Sequence, residues 1–394
     1  MAENVTTINC SFCGKSRRDV KKLIVTNDIG ICNECIILCQ GILNKEGTTE
    51  KRELGLTELL DPTRIKSFLD QHIIGQETAK MVISVGVVNH FKRILLKSDV
   101  ELEKSNILIY GPSGSGKTLL AKTVARYLNI PFVIADATTL TEAGYVGEDV
   151  EGVIARLLSE ADNNVEKCEQ GIVFIDEIDK ISRKSESSTV PRDVGGEGVQ
   201  QALLKLVEGT KCRVGTNTNK KHPSLEQTEI DTSKILFIAG GAFNDIDEII
   251  IKRKTNTGIG FGYSINDKDV DRSQCEPEDF VKFGMIPEFT GRFPVITYTD
   301  KLGVDDLVRI LVEPKNNLIK QMQFYFKVDG IQLEFTDDAI QEIANQAVKL
   351  GTGARGLKAI LERILNPYMF SIKELVNQDI KTIEITKDLV KYTD

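Results

Sequence analysis

The chain has 394 residues, more than one hydrophobic core usually organises, and so predicts two or three domains. Hydrophobic residues make up 41% and charged residues 27%, an ordinary balance for a soluble globular protein, and no apolar run approaches the ~18 residues of a membrane span. A net charge of −8 argues against a general grip on nucleic acid, which rests on clustered Lys and Arg, and Met1–Val5 lacks the basic and apolar character of a leader, so a cytoplasmic chain is expected.

Residues 1–43 contain two Cys-x-x-Cys pairs, Cys10 with Cys13 and Cys32 with Cys35, separated by eighteen residues. In a cytosolic chain this spacing points to metal rather than disulfides, because two short knuckles present four thiolates to one tetrahedral zinc ion. Four protein ligands leave no open position for catalysis, so the zinc is expected to be structural. It would supply stability that so short a segment cannot draw from its own core, and Lys15, Arg17, Arg18, Lys21 and Lys22 would offset the charge of the thiolates. Cys39, Cys168, Cys212 and Cys275 follow no partner pattern and read as small core or surface residues. Residues 44–60 are polar, aperiodic and glycine-containing, as a tether would be.

Between residues 61 and 299 come five runs that are almost continuously apolar: Asn106–Tyr110, Phe132–Ala135, Ile172–Ile175, Ile235–Ala239 and Val295–Tyr298. Strands apolar at every position are covered on both faces, which predicts an α/β domain with a mostly parallel sheet flanked by helices. The first run leads into Gly111, Pro112, Ser113, Gly114, Ser115, Gly116, Lys117 and Thr118, and then into a predicted helix from Leu119 to Leu128. That is the phosphate-loop pattern in its required strand-to-helix setting. Its backbone N–H groups and helix dipole would cradle ATP phosphates, with Lys117 on the β and γ phosphates, Thr118 on Mg²⁺ and Leu119 completing the nucleotide set. The third run ends in Asp176 and Glu177, at a strand carboxyl end where ligand chemistry collects in open α/β sheets. Asp176 suits the Mg²⁺ shell, and Glu177 suits the base that activates water.

Residues 300–394 turn largely helical, with expected helices over Asp305–Glu313, Asn316–Lys327, Asp337–Lys349 and Leu357–Ile372 and a strand at Thr382–Thr386, as a smaller C-terminal domain. The segments Thr138–Asp149, Ser182–Gly198, Gly209–Ser233 and Lys252–Asp279 read as polar loops of a length more often functional than structural.

With both ATP motifs in place, the chain resembles the ClpX family of AAA+ unfoldases, partners of the ClpP peptidase, over essentially its whole length. The resemblance is carried by the cysteine module, Gly144-Tyr145-Val146-Gly147, Gly258-Ile259-Gly260-Phe261-Gly262, Pro287-Glu288-Phe289-Thr290-Gly291-Arg292 and Gly353-Ala354-Arg355-Gly356-Leu357, in the family's order. It implies a homohexameric ring that binds ATP between subunits and draws unfolded or tagged protein through a central pore. It also implies delivery to a ClpP-like peptidase and adaptor docking on the zinc module.

Residue by residue, the resemblance implies that Ile73 and Ile74 pack on adenine, Arg292 acts as an arginine finger across a subunit interface, and Arg355 senses phosphate in its own subunit. Tyr145 and Val146 would grip substrate in the pore, Lys220, Lys221 and His222 would meet substrate tails, and Ile259, Gly260 and Phe261 would dock on the peptidase. Two departures stand out. Lys220 occupies a position that is typically arginine, keeping the charge but losing the planar fork. Ala239–Phe243, after the fourth strand, offers no polar side chain for sensing phosphate, so no such residue is assigned.

Overall fold

The computed structural model describes residues 9–26, 29–46, 60–96, 99–141, 148–183, 196–215, 227–257 and 271–392. Two compact units divide the chain after Asp61. In the first, β1 (Leu23–Thr26) and β2 (Ile29–Cys32) pair antiparallel, and α1 (Asn33–Glu46) follows directly. The buried centre described there is Cys10, Cys32 and Cys35, with Val20, Leu23 and Ile31 packed against it. Six small or medium side chains are too little apolar surface to order such a segment unaided.

The second unit begins with α2 (Pro62–Asp70) and α3 (Glu77–Leu95), then β3 (Ile107–Tyr110), α4 (Lys117–Leu128) and β4 (Phe132–Asp136). A short parallel pair, β5 (Leu140–Thr141) and β6 (Glu148–Asp149), precedes α5 (Val150–Glu160), α6 (Val165–Glu169) and β7 (Ile172–Asp176). There follow α7 (Glu197–Glu208), the hairpin β8 (Lys211–Gly215) and β9 (Gln227–Asp231), β10 (Leu236–Gly241), α8 (Ile246–Thr257), α9 (Pro277–Phe283), α10 (Pro287–Gly291) and β11 (Val295–Tyr298).

The central sheet has the order β11-β3-β10-β7-β4, and every pairing in it is parallel. Parallel neighbours need crossover connections, and helices supply them on both faces. This is why β3 and β10 are buried at every position, and why their sequences show no alternation. Register levels the carboxyl ends: Tyr110 lies opposite Gly241 and Tyr298, Ala239 opposite Ile175, and Asp136 opposite Asp176. The loops after β3, β7 and β10 therefore open along one edge.

The C-terminal part comprises α11 (Val304–Val312), α12 (Leu318–Val328), β12 (Gln332–Phe335), α13 (Asp337–Lys349), α14 (Ala354–Phe370), α15 (Ile372–Asn377), β13 (Thr382–Ile385) and α16 (Lys387–Tyr392). Asn317 and Thr336 cap α12 and α13 by accepting from the N–H of Lys320 (2.8 Å) and Ala339 (3.3 Å). Its buried residues, centred on Leu307, Phe326, Ile343 and Leu361, form an apolar cluster separate from that of the large sheet.

Three expectations change. Gly209–Ser233 is not simply a loop: Cys212 and Val214 alternate inward along β8 against β9, a two-sided strand pattern that polar neighbours masked. Lys252–Asp279 is likewise helical at both ends, in α8 and α9. β12, only four residues long, pairs in parallel with β13, and over so short a run the sequence does not distinguish strand from helix.

Candidate functional site

β3 ends at Tyr110 and α4 begins at Lys117, so the phosphate loop spans the gap between a buried strand and a helix N-terminus. Gly116 caps α4 with φ 101°, a left-handed conformation that side-chain-bearing residues adopt only with strain. The Lys117 ammonium is buried and donates to the carbonyls of Gly111 (2.6 Å) and Pro112 (2.9 Å). Burial pushes its pKa down to about 8, with Asp176 and Asp179 opposing the shift and Arg355 adding to it.

Thr118 Oγ1 donates to Asp176 Oδ2 at 2.9 Å, while Asp176 Oδ1 accepts from the Glu177 N–H at 3.0 Å. A hydroxyl and a carboxylate held side by side are the hard oxygen donors that Mg²⁺ takes, and they leave room for water and phosphate. Glu177 itself is left-handed, with φ 55°, an uncommon state for a glutamate and one that recurs where function dictates backbone. Lys117, Thr118, Asp176 and Glu177 share the wall of a cavity of about 420 Å³ with Leu119 and Arg355.

Arg355 reaches this cavity because the start of α14 rests on the phosphate loop. The Ala354 N–H donates to the Gly114 carbonyl at 3.2 Å. Gly114 has φ 74°, and a Cβ there would strike the carbonyl oxygen of Thr352, so the close approach requires glycine on both counts. Ser115 turns away from the cavity: its hydroxyl donates to Pro112 O (2.7 Å) and meets Thr299 Oγ1 (2.7 Å).

Ile73 and Ile74 are buried but do not line the cavity. The tie between their segment and the site is made by Gln76. Its amide donates to Ser115 O (3.3 Å) and Asp300 O (3.0 Å), and its carbonyl accepts from the Asp300 N–H (2.7 Å). One buried side chain thus joins the phosphate loop to the connection that leads into α11. A Gln after two isoleucines and a glycine carries no signal of this in sequence.

In the N-terminal unit, Cys10, Cys13, Cys32 and Cys35 present sulfurs that all lie within 4.8 Å of one another. The Cys10–Cys35 and Cys13–Cys32 separations are 3.8 and 3.7 Å. A tetrahedron built on Zn–S bonds of ~2.3 Å has edges of ~3.8 Å, so the set fits zinc and is far too open for disulfides. Backbone N–H groups of Cys32 and Cys35 point at the sulfurs of Cys10 (3.3 Å) and Cys32 (3.4 Å), the outer support that thiolate ligands require.

Three stretches of the chain match known families. Residues 102–296 match an AAA domain (Cdc48 subfamily), residues 302–387 match the C-terminal, D2-small domain of ClpB protein, and residues 8–45 match the ClpX C4-type zinc finger. The chain is a ClpX-like AAA+ protein. It is a Clp-type ATPase of the chaperone class with a four-cysteine zinc module. No described helix is long and apolar enough to cross a membrane.

In this ClpX-like chain Arg292 stands away from the cavity. It follows α10, and its carbonyl accepts from Asn106 Nδ2 at 2.9 Å, at the amino end of β3 rather than the carboxyl end where phosphate would sit. Asn244, just beyond the apolar stretch Ala239–Phe243, does line the cavity. The left-handed Phe243 (φ 48°), its ring buried against Phe280 and Phe283, turns the chain there, a bend the sequence did not announce. Tyr145, Val146, Lys220, Lys221, His222, Ile259, Gly260 and Phe261 lie outside the described residues.

Proposed function

We propose that the chain is an ATP-driven protein unfoldase and translocase that works as a homohexameric ring and delivers polypeptide to a ClpP-like peptidase. ATP supplies a phosphoanhydride whose hydrolysis drives movement. In this reading Lys117 holds the β and γ phosphates, Thr118 and Asp176 hold Mg²⁺, and Glu177 orients and deprotonates the attacking water. Asn244 contacts the terminal phosphate from just beyond β10, while Ile73 and Ile74, which do not line the phosphate cavity, would meet adenine outside it. Arg355 answers to the same phosphate from the smaller domain, so that hydrolysis changes how α14 bears on Gly114.

The observation that carries the ring is the separation of the two arginines. Arg355 lines the cavity, whereas Arg292 is tied to the amino end of β3, which puts the length of that strand, roughly 13 Å, between it and the phosphate loop. A charge so placed can reach a γ-phosphate only in a neighbouring subunit. Tyr145 and Val146 then face the pore, Lys220, Lys221 and His222 meet substrate tails, and the zinc module receives adaptors.

Ile259, Gly260 and Phe261 are the peptidase-docking element. Six weak apolar contacts on one ring sum to firm docking through effective concentration. Phe261→Ala is expected to leave ATP hydrolysis and unfolding intact while cutting degradation of a tagged substrate at least about tenfold at limiting peptidase. Undiminished degradation would remove the docking role.

A further inference from the structure

Arg292 is not loose on the surface. Its Nε and Nη2 both donate to one carboxylate oxygen, Glu208 Oε1, at 2.9 and 2.6 Å. Glu208 is the last residue of α7, and a single buried side chain fixes the backbone beside each partner. Asn106 Nδ2 donates to the Arg292 carbonyl (2.9 Å) and to that of Val207 (3.4 Å), while Asn106 Oδ1 accepts from the Phe237 N–H (3.3 Å) at the start of β10. The pair is therefore referenced to the central sheet through β3 and β10. Both side chains are well exposed, 53% and 39%, and an exposed ion pair adds little to stability.

Guanidinium has five N–H donors in a rigid plane. Glu208 occupies the edge formed by Nε and Nη2, and among the described residues no hydrogen bond falls on Nη1. The end edge, Nη1 with the outer hydrogen of Nη2, is the edge left for a bidentate contact with phosphate.

We propose that Glu208 is a positioning residue for Arg292, holding its side edge so that its end edge faces a nucleotide bound by the adjoining subunit. This rests on the reading of Arg292 as acting in trans. The energetic logic is that an arginine already oriented need not be ordered as charge develops in the transition state, so loss of Glu208 lowers turnover rather than nucleotide affinity.

The test is steady-state ATP hydrolysis by the full-length assembled protein, with assembly followed by size-exclusion chromatography. Glu208→Ala is expected to lower kcat about tenfold with KM for ATP changed less than about twofold, and to have no further effect in an Arg292→Ala background. Glu208→Gln, whose carbonyl oxygen can accept both hydrogens, should stay within about threefold of the parent, whereas Glu208→Asp, one methylene short, should resemble alanine. An unchanged kcat in Glu208→Ala, a Gln variant as slow as the Ala variant, or loss of assembly in Glu208→Ala each overturns the proposal. Full turnover by Arg292→Ala would instead overturn the trans reading beneath it.

Discussion

Lys117 shows how burial prepares a residue for a ligand. Its ammonium has carbonyl partners but little water, and burial holds its pKa at about 8 instead of the ordinary 10.5. Polyphosphate favours the charged form, so above that pH binding must take up a proton. Affinity for ATP should be insensitive to this group below about pH 7, then weaken as pH rises from about 8 towards the ordinary lysine value, by up to ~10-fold per pH unit. Titration calorimetry in buffers of different ionisation enthalpy should detect the uptake at pH 9, and its absence would mean that Lys117 does not engage phosphate. The motif made Lys117, Thr118, Asp176 and Glu177 legible in sequence, because the chemistry demands those residue types beside those glycines. Gln76, Asn244 and Glu208 were not legible: each acts through one or two hydrogen bonds or a place on a wall, set by chain segments distant in sequence.

Elements carry the next level. The hairpin of β1 and β2 with α1 surrounds a centre of cysteines, so removal of metal leaves four thiols within 4.8 Å and almost no apolar core to hold them. Chelation is expected to unfold residues 9–46 while the ATPase core keeps its activity. An N-terminal amide spectrum unchanged by chelator would show that metal is not what folds the module. Here sequence was strong evidence, because spacing alone specifies a four-sulfur site. It was weak for β8, β9 and β12, whose short strands are decided by partners. The five sheet strands could be read because burial on both faces forces apolar residues at nearly every position.

At the scale of the whole molecule, the carboxylates and Arg355 face the cavity and Arg292 does not, so the proposed ring would complete each site with a neighbour's arginine. Glu177→Gln and Arg292→Ala should each slow hydrolysis by roughly 10²–10³ when assembled alone. Mixed one to one, they should regain activity, because roughly a quarter of the interfaces in a closed ring then pair an intact Glu177 with an intact Arg292 from the neighbour. An ATPase assay on the mixed rings checks this. If mixing restores nothing, Arg292 does not complete a neighbour's site.

By itself the sequence determined the parts that local chemistry dictates: the zinc ligands, the phosphate loop, the acidic strand end, the parallel α/β core and the helical C-terminal region. Each follows from residue types at fixed spacing or from burial on both faces of a strand. Tertiary structure alone decided what meets across distance: α14 resting on Gly114, Gln76 joining the phosphate loop to Asp300, and Arg292 held by Glu208 at the end of the sheet opposite the cavity. Such contacts link residues from 84 to more than 200 positions apart, and their geometry depends on how strands cross and helices pack, which no local pattern encodes.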